Sequence, residues 1–222
     1  MERRRYHGVM TTAMRIDRAN GALVDGEGRR FNAEARRWTP GPIPSDAEEI
    51  ALVDAVAWLQ RESGTPLRVP IGVIGPREAT PAQLEAALEV GEGLARCGLV
   101  VLCGGRHGVM QAVCEGAARN GGVSIGLIGD TDPALANPYA SVVIATGIGE
   151  ARNALIARAA FCLVAVGNSF GTLSEVALGR HFGRAIIGLE GAADVDGVRH
   201  VRRPREAVDA VARLVLGLDA TA

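Results

Sequence analysis

The stretch LRVPIGVIGPREATPAQLEAALEVGEGLARCGLVVLCGGRHG, residues 67–108, contains the unit that decides the fold. It begins with an apolar run and has a second one before its last glycines, and both runs are typical of buried strands. Between them, Thr80 is the expected N-cap of a helix, with Pro81 at the first helical position, Gln83 at N3 and Gly98 as the stop. The segment therefore predicts a strand, a helix and a second strand in succession.

The same alternation of strands and helices continues to the end of the chain. Strands are expected at 123–129, 141–147, 161–167 and 184–191, and helices at 107–121, 150–160, 172–183 and 205–217. The strands are apolar nearly throughout, which is typical of parallel strands covered on both faces. Residues 67–222 are thus expected to form an α/β domain, a Rossmann-like doubly wound parallel sheet with helices on both faces.

Residues 1–66 lack this alternation and are expected to form a small appendage. Short alternating segments around Asn20-Gly21 and Gly26-Glu27-Gly28 predict a β-hairpin. The appendage has three open roles: it can shield the ligand edge, extend the sheet or mediate assembly.

A linker and a helix are expected to complete the appendage. The linker is TPGPIP, residues 39–44, and either Ser45 or Asp46 is expected to cap a helix over 47–63. At the other end of the appendage, the basic run Arg3-Arg4-Arg5 predicts a solvated terminus.

Composition restricts the partners that the chain can attract. The 24 basic and 25 acidic residues give a net charge of −1, so no general field favours nucleic acid or an anionic membrane. No stretch approaches about 18 uninterrupted apolar residues and no signal peptide is recognisable, so we expect neither export nor membrane spanning. The four cysteines have no CxxC spacing and are expected to be buried reduced thiols, as in the cytoplasm.

Three turns are predicted to meet at the carboxyl edge of the sheet, where α/β proteins bind ligands. The first is CGGRHGVM, with Gly104, Gly105 and Gly108. The second is TGIGEARN, residues 146–153, and the third is GNSFGT, residues 167–172. The turn after the first strand, GVIGPREAT, lacks the GxGxxG fingerprint, which disfavours NAD or FAD held in the usual way.

Arg152 and Glu175 are the candidates for chemistry in this crevice. One helix and one strand separate them, so both side chains are expected at the same edge, where they can act on a ribosyl phosphate. Two structural alternatives stay open. Arg152 can pair with Glu150, and Glu175 can complete a capping box whose N-cap is Thr172.

The segments CGGRHGVMQAV, GEARNALIARAAFCLVAV and GNSFGTLSE resemble the lysine-decarboxylase-like Rossmann superfamily. This superfamily includes the LONELY GUY cytokinin-activating phosphoribohydrolases and the molybdenum cofactor carrier proteins. The resemblance covers roughly residues 68–217. The LONELY GUY pattern PGGxGTxxE places its last Gly, Thr and Glu on Gly171, Thr172 and Glu175, and the same register places the family's catalytic Arg on Arg152.

The resemblance implies catalytic roles for Arg152 and Glu175 in the hydrolysis of a nucleoside 5′-monophosphate to base and ribose 5-phosphate. It implies phosphate or nucleotide binding by seven other residues: Gly104, Gly105, Gly108, Asn168, Ser169, Gly171 and Thr172. It further implies a homodimer or homotetramer, and a small phosphorylated ligand such as an AMP-like nucleotide, phosphate or the molybdenum cofactor, with no cofactor required. Lysine decarboxylation is not expected, because nothing resembles a pyridoxal phosphate site.

The chain departs from the LONELY GUY pattern at three places, and the first loop keeps only two adjacent glycines, with Arg106-His107 before Gly108. The family's PGG is Gly167-Asn168-Ser169 here, and its Arg-Lys pair is Arg152-Asn153. The combination of GEARN at 149–153 with GTLSE at 171–175, together with ANPY at 136–139, resembles the uncharacterised branch that includes the molybdenum cofactor carriers. Two functions therefore stay open at this point, namely nucleotide binding with hydrolysis and binding without turnover, as in a cofactor carrier or a nucleotide sensor.

Overall fold

The computed structural model describes residues 14–41 and 46–219, and it contains two sheets. The strands of the first sheet are β1 (Met14–Asp17), β2 (Ala22–Val24), β3 (Arg29–Asn32), β4 (Arg37–Pro40) and β5 (Glu48–Ile50). They are antiparallel and lie in the order β4-β3-β2-β1-β5. The turn between β1 and β2 includes Gly21 at φ +59°, as its Asn-Gly sequence predicts. The predicted hairpin is therefore part of a larger, five-stranded sheet.

The helix of the appendage, α1 (Leu52–Arg61), begins later than the sequence predicts. Residues 48–50 pair with β1 as strand β5, and Ala51 is the extended residue at which the helix starts. The prediction of a helix from residue 47, capped at Asp46, is therefore wrong, because strand pairing takes up the backbone groups that the helix would use. Ser45 and the run Arg3-Arg4-Arg5 lie outside the described residues.

The second sheet is parallel, as the sequence predicts for the α/β domain, and it has seven strands, one more than the six predicted. These are β6 (Ile71–Ile74), β7 (Val101–Cys103), β8 (Ser124–Ile128), β9 (Val142–Ala145), β10 (Leu163–Val166), β11 (Ile186–Leu189) and β12 (Val198–His200). Their order is β12-β11-β10-β6-β7-β8-β9. The chain moves outward from β6 to β9 and then crosses back to β10. The switch in strand order therefore lies between β6 and β10, where an α/β sheet opens a crevice.

Helices cover both faces of this sheet. They are α2 (Pro81–Arg96), α3 (Val109–Arg119), α4 (Arg152–Ala159), α5 (Phe170–His181) and α6 (Pro204–Val215). One core contains the buried faces of α2, α3 and α6 together with α1 and the first sheet, and a smaller core contains those of α4 and α5. The capping box predicted for α2 is present, with Thr80 at the N-cap and Gln83 at N3.

The appendage contacts the carboxyl ends of two helices. The Trp38 indole donates to the carbonyl of Leu216 at 2.7 Å, just beyond α6, and the Arg61 guanidinium donates to the carbonyls of Ala95 and Arg96 at the end of α2. Helices of this fold begin near the carboxyl edge of the sheet and end near its amino edge. The described part of the appendage therefore lies at the edge opposite the crevice, where it neither shields the crevice nor extends the parallel sheet. Within the described ranges, no helix has the length and apolarity needed to cross a bilayer.

Candidate functional site

The turn after β10 leads directly into helix α5, and Ser169 caps that helix. Ser169 is extended, with φ −159° and ψ 170°, and its hydroxyl accepts the N–H of Thr172 at 3.1 Å. The capping box predicted from Thr172 to Glu175 is therefore wrong, since the helix already begins at Phe170. Thr172 is buried inside the first turn, where its hydroxyl lies 2.9 Å from that of Ser169.

This shift of the cap removes the structural role that the sequence offered for Glu175. Glu175 lies in the second turn of α5, is 6% exposed and faces Arg152, whose Nη1 lies 3.5 Å from Glu175 Oε1. A residue in the second turn lies too far from the N-cap to accept the N-cap amide. The carboxyl group of Glu175 therefore has no part in the cap and faces the crevice with Arg152.

Arg152 is the first residue of α4 and is 5% exposed. The alternative pairing with Glu150 is wrong, because the carboxylate of Glu150 pairs with Arg77 at 3.5 Å, whereas the group that faces Arg152 at 3.5 Å is the carboxyl group of Glu175. A cation in the first turn of a helix opposes the helix dipole, so its position is unfavourable for helix stability alone. The α4 N-cap, Ala151, offers no side-chain acceptor to the first amides of that helix.

Burial raises the pKa of Glu175 from 4.5 to about 8. The guanidinium of Arg152 acts in the opposite direction, and the nearby carboxylate of Glu150 adds to the increase. Desolvation therefore outweighs the ion pair, and Glu175 is mainly protonated at neutral pH. A neutral carboxyl group can donate a hydrogen bond or a proton and does not repel an anion.

The turn after β7 places Gly104 directly against the Arg152 guanidinium. A Cβ atom at Gly104 would overlap both terminal nitrogens of Arg152 and the sulfur of Met110. Gly104, Arg152 and Glu175 are thus brought together, as expected from their places at the carboxyl edge. Because the residue at 104 has no side chain, the guanidinium can approach the backbone of the turn closely.

The other two glycines of this turn approach the protein's own backbone. Gly105 has φ +67°, and a Cβ there would lie 2.9 Å from the Cα of Gly126 in β8. Gly108 also has φ +67°, and a Cβ there would overlap the carbonyls of Pro76 and Arg77 in the turn after β6. These close approaches explain both glycines without a ligand.

Asn137 holds the first turn in place, a role that sequence reasoning missed. Its backbone N–H donates to the carbonyl of Gly105 at 2.8 Å, and its buried side-chain amide donates to the carbonyls of Gly105 and Arg106 at 3.1 and 3.2 Å. The side-chain oxygen accepts the N–H of Tyr139. The ANPY sequence was the available signal, since a buried Asn between two turns often bonds to backbone groups.

Asn153, at the position of the family's Lys, links helices α4 and α5. Its side-chain amide donates to the hydroxyl of Ser174 at 3.0 Å, and that hydroxyl donates to the carbonyl of Gly171 at 2.7 Å. The departure from an Arg-Lys pair therefore has a structural reason, because a buried amide replaces a charged side chain between two packed helices.

The residues that replace the family's glycines fit the backbone without strain. Gly167 has φ +72° and packs under the side chain of Gln83, whereas Ser169 is extended and Asn168 has no positive φ. Asn168 is exposed, and within the described residues its side chain makes no hydrogen bond. Gly171 is also open, since a Cβ there would lie 3.8 Å from the nearest atom, the hydroxyl oxygen of Ser169.

A family model described as the SLOG cluster4 family matches residues 68–213. The chain belongs to this SLOG family. The match covers the parallel sheet with its crevice and leaves the appendage outside. An uncharacterised protein from Archaeoglobus fulgidus is 36% identical to this SLOG protein over 139 residues, which are 63% of this chain and 91% of that one.

Solved structures similar to this SLOG chain include two that concern the molybdenum cofactor. The molybdenum cofactor binding protein of the phototrophic bacterium Rippkaea orientalis is 30% identical with a TM-score of 0.64, and 67% of this chain covers 99% of that protein. The molybdenum cofactor carrier protein of Chlamydomonas reinhardtii is 33% identical with a TM-score of 0.62, at the same coverage. These similarities support the expected resemblance to the carrier-like branch and support ligand binding.

Proposed function

We propose that this SLOG protein binds a phosphorylated small molecule between the first turns of α4 and α5. The observation that carries the proposal is the buried guanidinium of Arg152, which lies 3.5 Å from Glu175, a carboxyl group whose pKa is raised by burial. A buried cation without a counter-ion is costly, and a phosphate bound through two parallel hydrogen bonds supplies one.

The first turn of α5 adds donors to the same crevice. A helix leaves its first N–H groups without partners inside the helix, and its amino end carries a partial positive charge. Ser169 takes the N–H of Thr172, which leaves the earlier amides of the turn for a ligand. Gly171 and Asn168 are exposed beside them, so a phosphate can approach this backbone closely.

The molybdenum cofactor is the first ligand that we infer, as cargo of a carrier. The support is the similarity to proteins from Rippkaea orientalis and Chlamydomonas reinhardtii that bind or carry this cofactor. The crevice fits the phosphate end of such a molecule through Arg152, Ser169 and Gly171. Among the described residues no group of three or more His, Cys, Asp or Glu side chains is placed to hold a metal ion, so we assign only the phosphate end to this chain.

Thermal shift and calorimetry with molybdopterin, AMP and inorganic phosphate test this proposal. We expect stabilisation by at least one phosphorylated ligand, and we expect R152A to weaken its binding by roughly 10–100-fold, the range for a lost hydrogen bond to a charged group. R68A removes an exposed arginine outside the crevice and serves as the matched control. Equal binding by R152A and R68A would contradict the proposed site.

Hydrolysis of a nucleoside 5′-monophosphate is the second candidate function, and the raised pKa of Glu175 favours it. A carboxyl group that is protonated at pH 7 can give its proton to the departing base as the bond between base and ribose breaks. Water supplies the hydroxyl group that attaches to the ribose carbon, and Arg152 holds the phosphate. The products are the free base and ribose 5-phosphate.

Release of ribose 5-phosphate from AMP, GMP, CMP and UMP tests the second candidate. We expect E175Q to slow turnover by about a hundredfold or more while AMP still binds, because Gln keeps the shape but cannot donate a proton. Binding of ligand without release by the wild type would leave the carrier function and remove the enzymatic one.

We also infer that a second copy of the chain covers the face formed by α4, α5 and β9. These elements and the turn that joins β9 to α4 expose six large apolar side chains: Val142, Ile144, Ile148, Leu155, Phe170 and Leu173. Phe170 is 95% exposed at the start of α5, beside the crevice. A part of the surface that exposes this many large apolar side chains favours an interaction site.

Light scattering tests this assembly. We expect the wild type to be a dimer or a larger even-numbered oligomer, and we expect L155E to shift it toward the monomer because the substitution buries a charge. L84E, on the opposite side of the sheet, is the matched control. The four free buried cysteines fit a reducing compartment, so we infer that this assembly works in the cytoplasm.

A further inference from the structure

Two thiols lie under the first glycine turn and have no part in the proposed chemistry. Cys103 is the last residue of β7, directly before Gly104, and Cys114 lies in α3. Both residues are fully buried, and their sulfur atoms are 3.5 Å apart. No other pair of cysteines in the described part of the chain is in such contact, since Cys97 and Cys162 make no contact with a second thiol.

The two sulfur atoms are part of the hydrogen bonding that holds the turn. The N–H of Gly105 donates to the sulfur of Cys103 at 3.4 Å. The side-chain amide of Asn137 is 3.7 Å from the sulfur of Cys114 and also donates to the carbonyl of Gly105. A change in bonding at these sulfur atoms therefore alters the hydrogen-bond partners of Gly105 and Asn137, the two residues that fix the turn.

We propose that Cys103 and Cys114 form a reversible disulfide bond that loosens the turn containing Gly104 and weakens ligand binding in the crevice. The inference rests on the proposed function for its effect on the ligand, because Gly104 lies against the guanidinium of Arg152. The sulfur atoms must approach from 3.5 Å to about 2.05 Å, so strand and helix both shift slightly when the bond forms.

Hydrogen peroxide is the oxidant that the step requires. The thiolate of Cys114 attacks one peroxide oxygen, which breaks the O–O bond, gives a sulfenic acid and releases hydroxide. The Cys103 sulfur then attacks the sulfur of that sulfenic acid, and the second hydroxide leaves. The two thiol protons convert both hydroxides to water, so two thiols and one peroxide give one disulfide and two waters.

The pKa values of the two thiols differ in the direction that makes Cys114 the attacking group. The hydrogen bond from Cys103 lowers the pKa of Cys114 to about 7, with further donors in Ser124 and Asn137. The same contact and burial raise the pKa of Cys103 well above 9.0. The thiolate, which is the attacking form, is therefore favoured at Cys114.

Mass spectrometry of the full chain after mild peroxide treatment tests the disulfide itself. We expect the intact mass to fall by about 2 Da, with a peptide that joins Cys103 to Cys114 and is released by dithiothreitol. C103A and C114A should both block this change. C162A removes a buried thiol that is not part of the pair and should leave it intact. A treated wild-type chain without the joined peptide would overturn the proposal.

Two further measurements test the consequence of the bond. Hydrogen exchange at the amides of residues 104–108 should be faster in the oxidised chain than in the reduced chain, and this measurement needs no ligand. Loss of the bonds made by Gly105 and Asn137 should also weaken AMP or molybdopterin binding about tenfold, with recovery on reduction. A disulfide with unchanged exchange in the turn would overturn the proposal. If the reduced chain bound none of the phosphorylated ligands, the proposed function would fail. Hydrogen exchange at residues 104–108 would still show whether the disulfide loosens the turn.

Discussion

The turns that follow β7 and β10 are both rich in glycine and both lead into a helix at the crevice, yet their glycines serve different ends. In the first turn Gly105 and Gly108 approach the backbones of β8 and the turn after β6. In the second turn Gly171 has ordinary backbone geometry and open space around it. Packing therefore explains Gly105 and Gly108, and it also explains Gly167 at the start of the second turn, whereas Gly171 has, under our proposal, a ligand-based cause.

This difference shows that the two turns divide the work of the crevice. The first turn is fixed by hydrogen bonds from Asn137 and by the packing of its glycines, and the backbone of Gly104 lies against the guanidinium of Arg152. The second turn is capped by Ser169 and leaves free amides at its surface. The glycines Gly105 and Gly108 of the first turn should therefore matter mainly for stability, and Gly171 of the second turn should matter mainly for binding.

The largest expected effect of a single substitution on stability at a fixed pH is that of G108A. A methyl group at Gly108 meets two carbonyl oxygens, and the backbone there, with φ +67° and ψ −133°, is one that L residues rarely adopt, so we expect unfolding to become easier by roughly 3 kcal/mol or more. G121A is the matched control, because Gly121 has a similar φ of +64° with nothing within 4 Å. Chemical denaturation should show a loss of only about 1–2 kcal/mol for G121A. Equal losses would show that crowding at Gly108 is unimportant.

The next effect concerns the pH dependence of stability, through Glu175 in the helix after the second turn. Between pH 4.5 and about 8 the folded chain keeps the Glu175 proton that the unfolded chain releases. Wild-type stability should therefore fall by about 1.4 kcal/mol per pH unit relative to E175Q as the pH rises through this window. Thermal unfolding from pH 5 to pH 8 measures it, with E89Q as an exposed control. Parallel curves for the wild type and E175Q would mean that Glu175 stays ionised.

A smaller effect distinguishes the role of Ser169 as the N-cap of α5 from its role in ligand binding. S169A should cost about 1 kcal/mol of stability, because the N–H of Thr172 loses its acceptor. S169D should restore that stability, since Asp is also a good N-cap, but its negative charge should repel a phosphate. Denaturation and AMP or molybdopterin binding should therefore rank these two variants in opposite orders. Normal ligand binding by S169D would place the phosphate elsewhere.

The smallest effect on stability is that of G171A. The substitution enters open space in a helix, so it should leave stability unchanged or raise it by about 0.5–1 kcal/mol. Ligand binding should nevertheless weaken, because the methyl group covers backbone amides at the first turn. Calorimetry beside thermal unfolding checks both expectations. Unchanged affinity in this variant would remove the distinction between the two turns.

The order of strands and helices in the parallel sheet was predictable because each element carries its own local signals. Apolar runs mark the buried strands, and the box from Thr80 to Gln83 marks the start of α2. The short strand β12 was not predicted, since its three residues are mostly exposed and include Arg199 and His200. The start of α1 was placed too early, because pairing of Glu48–Ile50 with β1 depends on a strand more than thirty residues away.

The site was predictable to the level of its charged residues. Arg152 and Glu175 follow from the position of each beyond a strand, and the structure brings them together. The bonds that fix the site join residues distant in sequence, as Asn137 to Gly105 and Asn153 to Ser174 do. The cap could not be assigned from sequence, because Ser169 and Thr172 both carry a suitable hydroxyl and only the backbone conformation distinguishes them.

Helix α2 makes hydrogen bonds with other parts of the chain at both of its ends, and this has a practical consequence. Its carboxyl end receives the guanidinium of Arg61 from the appendage, and Gln83 in its first turn packs on Gly167 and donates to the carbonyl of Glu190. Its sixteen residues span about 24 Å. A fluorophore or a surface tether attached to the appendage would therefore sit a full helix length from the crevice, so the chain can be immobilised or labelled there with its ligand edge left open to solution.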